Sequence, residues 1–120
     1  TNSGLMALAW TVHMTLLGQA GFTKLARLNH ERACDLADRL SAIEGVELVT
    51  DAFFNEFTIK LPKPAAEVVE TLAGQDILAG VPASRLYPGG EFDDLLIVAA
   101  TETNTQDDLA AFEAALKEAI

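Results

Sequence analysis

A chain of 120 residues, half of them apolar and 22% charged, is long enough for one hydrophobic core and too apolar to be disordered. Eight basic against eighteen acidic residues leave a net charge of −10. That balance repels phosphate backbones and anionic lipid, which excludes nucleic acid and the membrane surface as partners. The single cysteine, Cys34, cannot form an internal disulfide, in keeping with a reducing cytoplasmic location.

Thr1 to Thr23 carry no formal charge, and Leu5, Met6, Leu8, Trp10, Val12, Met14, Leu16 and Leu17 fall on every side of a helical wheel. A helix apolar all round must be covered all round. Thr11, His13 and Thr15 interrupt its middle, and Gly18, Gln19 and Gly21 end the run, which disfavours a membrane span of about 20 residues. No basic segment precedes Leu5, so a secretory signal is also disfavoured. Residues 1–20 therefore read as an apolar connector helix from a missing large domain, and 21–120 as a small α+β domain. With the rest of the subunit absent, the first helix should drive self-association.

From Phe22 the pattern is amphipathic, with Leu25, Ala33, Leu36, Ala37, Leu40 and Ile43 near helical spacing. Arg27–Glu31 and Asp35–Arg39 form i,i+4 pairs, and Gly45 stands where a left-handed cap belongs. The period then drops to two. Val46–Thr50 and Phe53–Leu61 read as strands, with Phe57, Ile59 and Leu61 on one face. Pro64 opens a helix carrying Val68, Val69 and Leu72 that ends at Gly74. Ile77–Val81 reads as a strand parallel to Phe53–Leu61 through a right-handed crossover. A turn-rich loop, Pro82–Asp94, precedes the continuous apolar run Leu95–Ala100, a central strand buried on both faces. The last helix starts after Thr105, with Asp108 completing a capping box and Leu109, Phe112 and Leu116 facing the core. The order specifies a two-layer α+β sandwich behind a connector helix.

Catalytic templates are missing. There is no Gly-rich phosphate loop with a lysine, no cysteine cluster and no histidine pair at metal-ligand spacing. His13 reads as a core or interface residue, His30 as a solvated edge residue and Cys34 as helix packing. None of Lys24, Lys60, Lys63 and Lys117 reads as a desolvated Schiff-base lysine. Two places remain. Thr101, Glu102, Thr103 and Asn104 join a strand end to a helix N-terminus, where free N–H groups can hold an anion; helix capping is the competing reading. Arg85 is an isolated cation in a turn-rich loop, suited to a carboxylate or to a surface ion pair. Asn55, on the apolar face of its strand, is either a turn-bonding amide or a ligand contact.

Thr1-Asn2-Ser3-Gly4-Leu5, Phe53-Phe54-Asn55-Glu56-Phe57, Gly80-Val81-Pro82-Ala83-Ser84-Arg85-Leu86-Tyr87-Pro88 and Ala99-Ala100-Thr101-Glu102-Thr103-Asn104-Thr105 together resemble the C-terminal end of subunit 1 of the glycine cleavage system P-protein family. Met6 and Trp10 depart from its pattern, where a small thiol residue and a phenylalanine stand. The resemblance implies the small C-terminal domain of the aspartate-aminotransferase-like, type I pyridoxal-phosphate fold. It implies an enzyme that decarboxylates glycine and passes the aminomethyl group to the lipoyl arm of H-protein. Pyridoxal phosphate is then expected on the partner, P-protein subunit 2, with no catalytic, cofactor-binding or metal residue on this chain. Two further classes stay open: a small amino-acid-binding regulatory domain and a pure protein-association domain.

Overall fold

The chain begins in one long helix, α1 (Gly4–Ser41), bent at a single residue: Gly18 has φ 59° and ψ −178° and interrupts the helical backbone. The computed structural model describes residues 3–120, so the Thr1-Asn2 end of the connector helix and of the first motif lies outside the described residues. Before the bend, most side chains find no cover: Leu5 is 70%, Trp10 65% and Leu16 81% exposed. The Thr11 and Thr15 hydroxyls donate to the carbonyls of Ala7 (2.8 Å) and Thr11 (2.7 Å), one turn back. Taken whole, α1 is long and apolar enough to cross a membrane. Its straight apolar part covers only residues 4–17, well short of the about 20 that a span requires.

After the bend Ala33, Leu36, Ala37 and Leu40 are buried. The predicted stripe starts too early, because Phe22 is exposed; the sheet does not reach that far up the helix. The helix stops at Ser41 with Ala42 as a right-handed cap, so Gly45, at φ 86°, serves the following turn rather than the helix end.

Four strands follow, β1 (Glu47–Leu48), β2 (Glu56–Lys60), β3 (Val81–Pro82) and β4 (Leu95–Ala99), in the order β1-β2-β4-β3. Every neighbouring pair is antiparallel. Helices α2 (Ala65–Ala73) and α3 (Gln106–Ala119) join the second half of α1 in the other layer. The core between the layers is built on Phe57, Ile59, Leu40, Leu72, Leu96 and Leu116, all nearly inaccessible.

Four expectations change. The parallel pairing of Phe53–Leu61 with Ile77–Val81 does not form, since β4 lies between β2 and β3 and pairs with both. Most of the predicted 77–81 strand is spent elsewhere. Asp76 turns the chain at φ 62°, and the Ile77 N–H donates to the Leu72 carbonyl at the end of α2 (3.0 Å). Leu78 is 93% exposed. Pairing begins only after Gly80, where a Cβ would overlap the Ile97 carbonyl oxygen. β4 is central, but only Leu96 and Val98 are buried while Leu95 and Ile97 are half-exposed, because all the helices sit on one face. Pro64 caps α2 instead of opening it, with φ −56° and ψ 124°. The Thr105–Asp108 capping box forms as read: the Thr105 N–H donates to Asp108 Oδ2 (2.7 Å) and the Asp108 N–H to Thr105 Oγ1 (3.2 Å).

The helical layer is cross-tied by one guanidinium. Arg39 donates to Asp35 (3.0 Å), Glu113 (3.1 Å) and Gln106 (3.0 Å), linking α1 to α3. The Gln106 amide donates in turn to Asp35 (2.8 Å). The bond from Gln106 first, and then that from Arg39, hold the Asp35 carboxyl below its ordinary value, while the bonds to Asp35 and then Glu113 raise Arg39. The Arg27–Glu31 pair is not among the ion pairs of the described residues.

Candidate functional site

β4 runs into the segment Ala100–Thr105, and the loop before β2 lies against it. The Ala100 N–H donates to the Asn55 carbonyl (3.0 Å), so Asn55 and the Thr101–Asn104 turn share one end of the sheet. Asn55 makes that link through its backbone, not through the side-chain amide that its position suggested. Arg85 is at the other end. It follows Pro82, which pairs with Leu96 near the start of β4, and reaches Glu70 at 3.9 Å across exposed surface. The candidates therefore divide into a cluster of five and one outlier.

Within the cluster most polar groups are already used. Asn104 Oδ1 accepts from the Thr101 N–H (2.8 Å), and the Asn104 N–H donates to the Thr101 carbonyl (3.1 Å), closing the turn from both sides. The Thr101 and Thr103 hydroxyls bond each other at 2.8 Å. Thr105 is engaged with Asp108, whose carboxyl is held below its ordinary value by the Thr105 backbone N–H and then the Thr105 hydroxyl. Glu102 is exposed and makes no hydrogen bond or ion pair within the described residues. Turn closure thus accounts for Thr101, Thr103 and Asn104, and leaves one free carboxylate.

A cavity of about 330 Å³ adjoins this end on the helical side, lined among others by Ile77, Ala79, Asn104, Asp108 and Phe112. Its polar edge is carboxylate and amide, with no cation, and does not suit an anionic ligand.

One contact was not anticipated. His30 Nδ1–H donates to the Phe54 carbonyl (2.7 Å), and its ring stacks on Phe54 at 5.9 Å with planes 3° apart. Phe53 meets the same imidazole edge-on and passes the contact inward to Phe57. Cys34 Sγ lies 3.6 Å from His30 Nε2. His30 is exposed, as an edge residue should be, and it is also a clasp between α1 and the Phe53-Phe54-Asn55 segment. The only signal in the sequence was the unexplained pair of adjacent aromatics, since nothing local ties residue 30 to residue 54.

No family model matches the chain. Among curated proteins, glycine dehydrogenase (decarboxylating) subunit 1 of Xanthobacter autotrophicus is 64% identical over 120 residues, covering the whole chain and 27% of the relative. The same subunit of Maricaulis maris is 66% identical over 116 residues, covering 97% of the chain and 26% of the relative. The chain is related to glycine dehydrogenase (decarboxylating) subunit 1. It spans about a quarter of the length of those relatives. Among solved structures, glycine decarboxylase (P-protein) of the glycine cleavage system, in inhibitor-bound form, superposes with a TM-score of 0.88 at 36% identity over the whole chain and 27% of its own. A NifS-like protein superposes at 0.65 with 14% identity over 80% of the chain, which speaks to the fold alone. The fold is the small α+β domain of the aspartate-aminotransferase-like class.

That fold class raises pyridoxal phosphate, and the residues of this chain do not fit it. The group needs a desolvated lysine and a cradle for its phosphate. Lys24, Lys60 and Lys117 are exposed, Lys60 is paired with Asp94 at 3.4 Å, and Lys63 lies in the turn before α2. None of them lines the 330 Å³ cavity, whose charged residues are Asp76 and Asp108.

Proposed function

We propose that this chain is the C-terminal small domain of a glycine decarboxylase P-protein subunit 1. In this reading the whole enzyme decarboxylates glycine in the cytoplasm and transfers the aminomethyl group to the lipoyl arm of H-protein. The pyridoxal phosphate, which supplies the electron sink for decarboxylation, belongs to the partner subunit 2. The present domain is structural and forms a wall of the cleft. The uncovered apolar helix 4–17 carries this reading: it is a connector whose large domain lies in the remaining three quarters of such a subunit. The sheet face at Leu95 and Ile97, with Tyr87 and Phe92 of the loop before β4 beside it, offers a second apolar contact. Residues 1–20 and 21–120 are the connector and the domain.

The chain's own part in turnover is positional. The turn 101–104 is locked by Asn104 and leaves Glu102 free to face the cleft or an incoming partner. Glu102→Gln in the full two-subunit enzyme should reduce glycine–bicarbonate exchange tenfold or more with assembly and melting temperature unchanged. Unchanged exchange would leave the turn with a capping role only. Alone, the chain should give no borohydride-trapped pyridoxal adduct at any one lysine, and a stoichiometric adduct would overturn the assignment. Saturable glycine binding by the isolated chain would favour a regulatory domain instead. Through its first helix the isolated chain should self-associate, and Leu8→Glu with Val12→Glu should shift it to monomer in sedimentation. A wild-type chain already monomeric at high concentration would contradict that role of the helix.

A further inference from the structure

α1 changes direction at one residue, and the reason for glycine there differs from the reason elsewhere in the chain. Gly18 occupies φ 59°, ψ −178°, a region essentially closed to residues with a Cβ. Yet a Cβ built on Gly18 would meet no heavy atom within 4 Å. Packing does not demand glycine at this point; the backbone conformation does. On one side the helix is anchored through Ala33, Leu36, Ala37 and Leu40. On the other, residues 4–17 are exposed apart from the half-buried Met14 and Leu17, with hydroxyls that bond only within their own helix. Among the described residues the neighbour of the segment across the joint is Gly21, beside the Leu17 side chain, so the backbone at Gly18 sets where the apolar segment points.

We propose that Gly18 is a joint with two settings. In the bent setting it directs the apolar segment away from the axis of residues 19–41. Because glycine enters the right-handed helical region as readily, the same residue lets α1 straighten into one continuous helix. From Leu5 to Leu17 the segment is about 18 Å long at the helical rise, so a 30° change of direction moves its tip by about 9 Å. The inference concerns this chain alone and does not depend on the activity of the larger protein.

The chain contains its own ruler. Trp10 and Cys34 are its single tryptophan and single cysteine, and they flank the joint. In a straight helix they stand about 36 Å apart. Energy transfer from Trp10 to a small acceptor on the Cys34 thiol reads that distance in the full chain. Gly18→Ala admits only the straight setting, because an L-residue is strongly disfavoured in the bent one. Replacing Gly18 with D-alanine, by ligating a synthetic 1–33 segment at Cys34, does the reverse: the mirror of φ 59°, ψ −178° is ordinary extended backbone. The expected result is a distance near 36 Å for Gly18→Ala, a clearly shorter one for D-alanine and a wild-type value between the two. The urea midpoint of the domain should be the same in all three. Equal distances in the L- and D-alanine proteins would overturn the proposal, as would a wild-type distance equal to either limit.

Discussion

The two halves of α1 share one helix and almost nothing else. Residues 19–41 alternate apolar and charged sides, and one side is buried. Residues 4–17 are apolar on every side and none is buried in the chain. Hydrophobic content alone therefore does not say what a helix packs against. A stripe specifies one neighbouring surface, whereas a uniform coat specifies enclosure that a domain with three helices on one sheet face does not provide.

The comparison is broken most directly by truncating a large side chain in each region. Phe57→Ala, beneath the anchored half, should cost about 3–5 kcal/mol, since it empties a fully buried site. Trp10→Ala should change unfolding free energy by less than about 0.5 kcal/mol. Urea titration followed by far-UV circular dichroism measures both, and a comparable loss for Trp10 would mean that the first half is covered after all.

Glycines sharpen the same contrast. Gly80→Ala forces a Cβ into the Ile97 carbonyl across the β3–β4 pair and should cost about 3 kcal/mol. Gly18→Ala redirects a segment with nothing to lose and should fall within about 0.5 kcal/mol of wild type in the same titration.

In the turn after β4 the expected effects are smaller. Asn104→Ala removes the acceptor of the Thr101 N–H and should cost about 1 kcal/mol. Glu102→Gln should cost nothing measurable. Thermal melts of the two variants separate them.

The smallest effect is in pH dependence. Asp35 and Asp108 are both held below their ordinary values in the folded chain. The stability they add is present above the unfolded carboxyl value of about 3.9 and is lost as pH falls through their folded values. Asp35→Asn and Asp108→Asn should therefore flatten the loss of stability between pH 5 and pH 2, read from urea midpoints across that range. An unaltered slope in both would remove these carboxyls from the acid response.

What was legible in the sequence follows from how local each signal is. The Thr105–Asp108 box and the period-two run through Phe57 and Ile59 are complete within a few residues, and both form. The pairing of the chain after α2 was not legible. Ile77 has the composition of a strand, but its N–H is taken by Leu72, and only the position of β4 decides where pairing resumes. The run Leu95–Ala100 looked buried on both faces because composition cannot report that every helix lies to one side. The site divided the same way. Asn55 and Thr101–Asn104 were picked singly and meet through strand register, while His30 was missed because its partner is 24 residues away.

The sheet's rims bear on how the chain can aggregate. Its two outer strands are each two residues long, and one of them, Val81–Pro82, contains a residue with no N–H to offer. A rim that short gives an incoming strand almost no ladder to extend, and strand-to-strand growth is the usual route to fibrils. Association of this chain through its sheet is thus blocked at both borders. Chains that clump through the bare helix should do so as helical, dissociable oligomers, without the dye-binding cross-β signature.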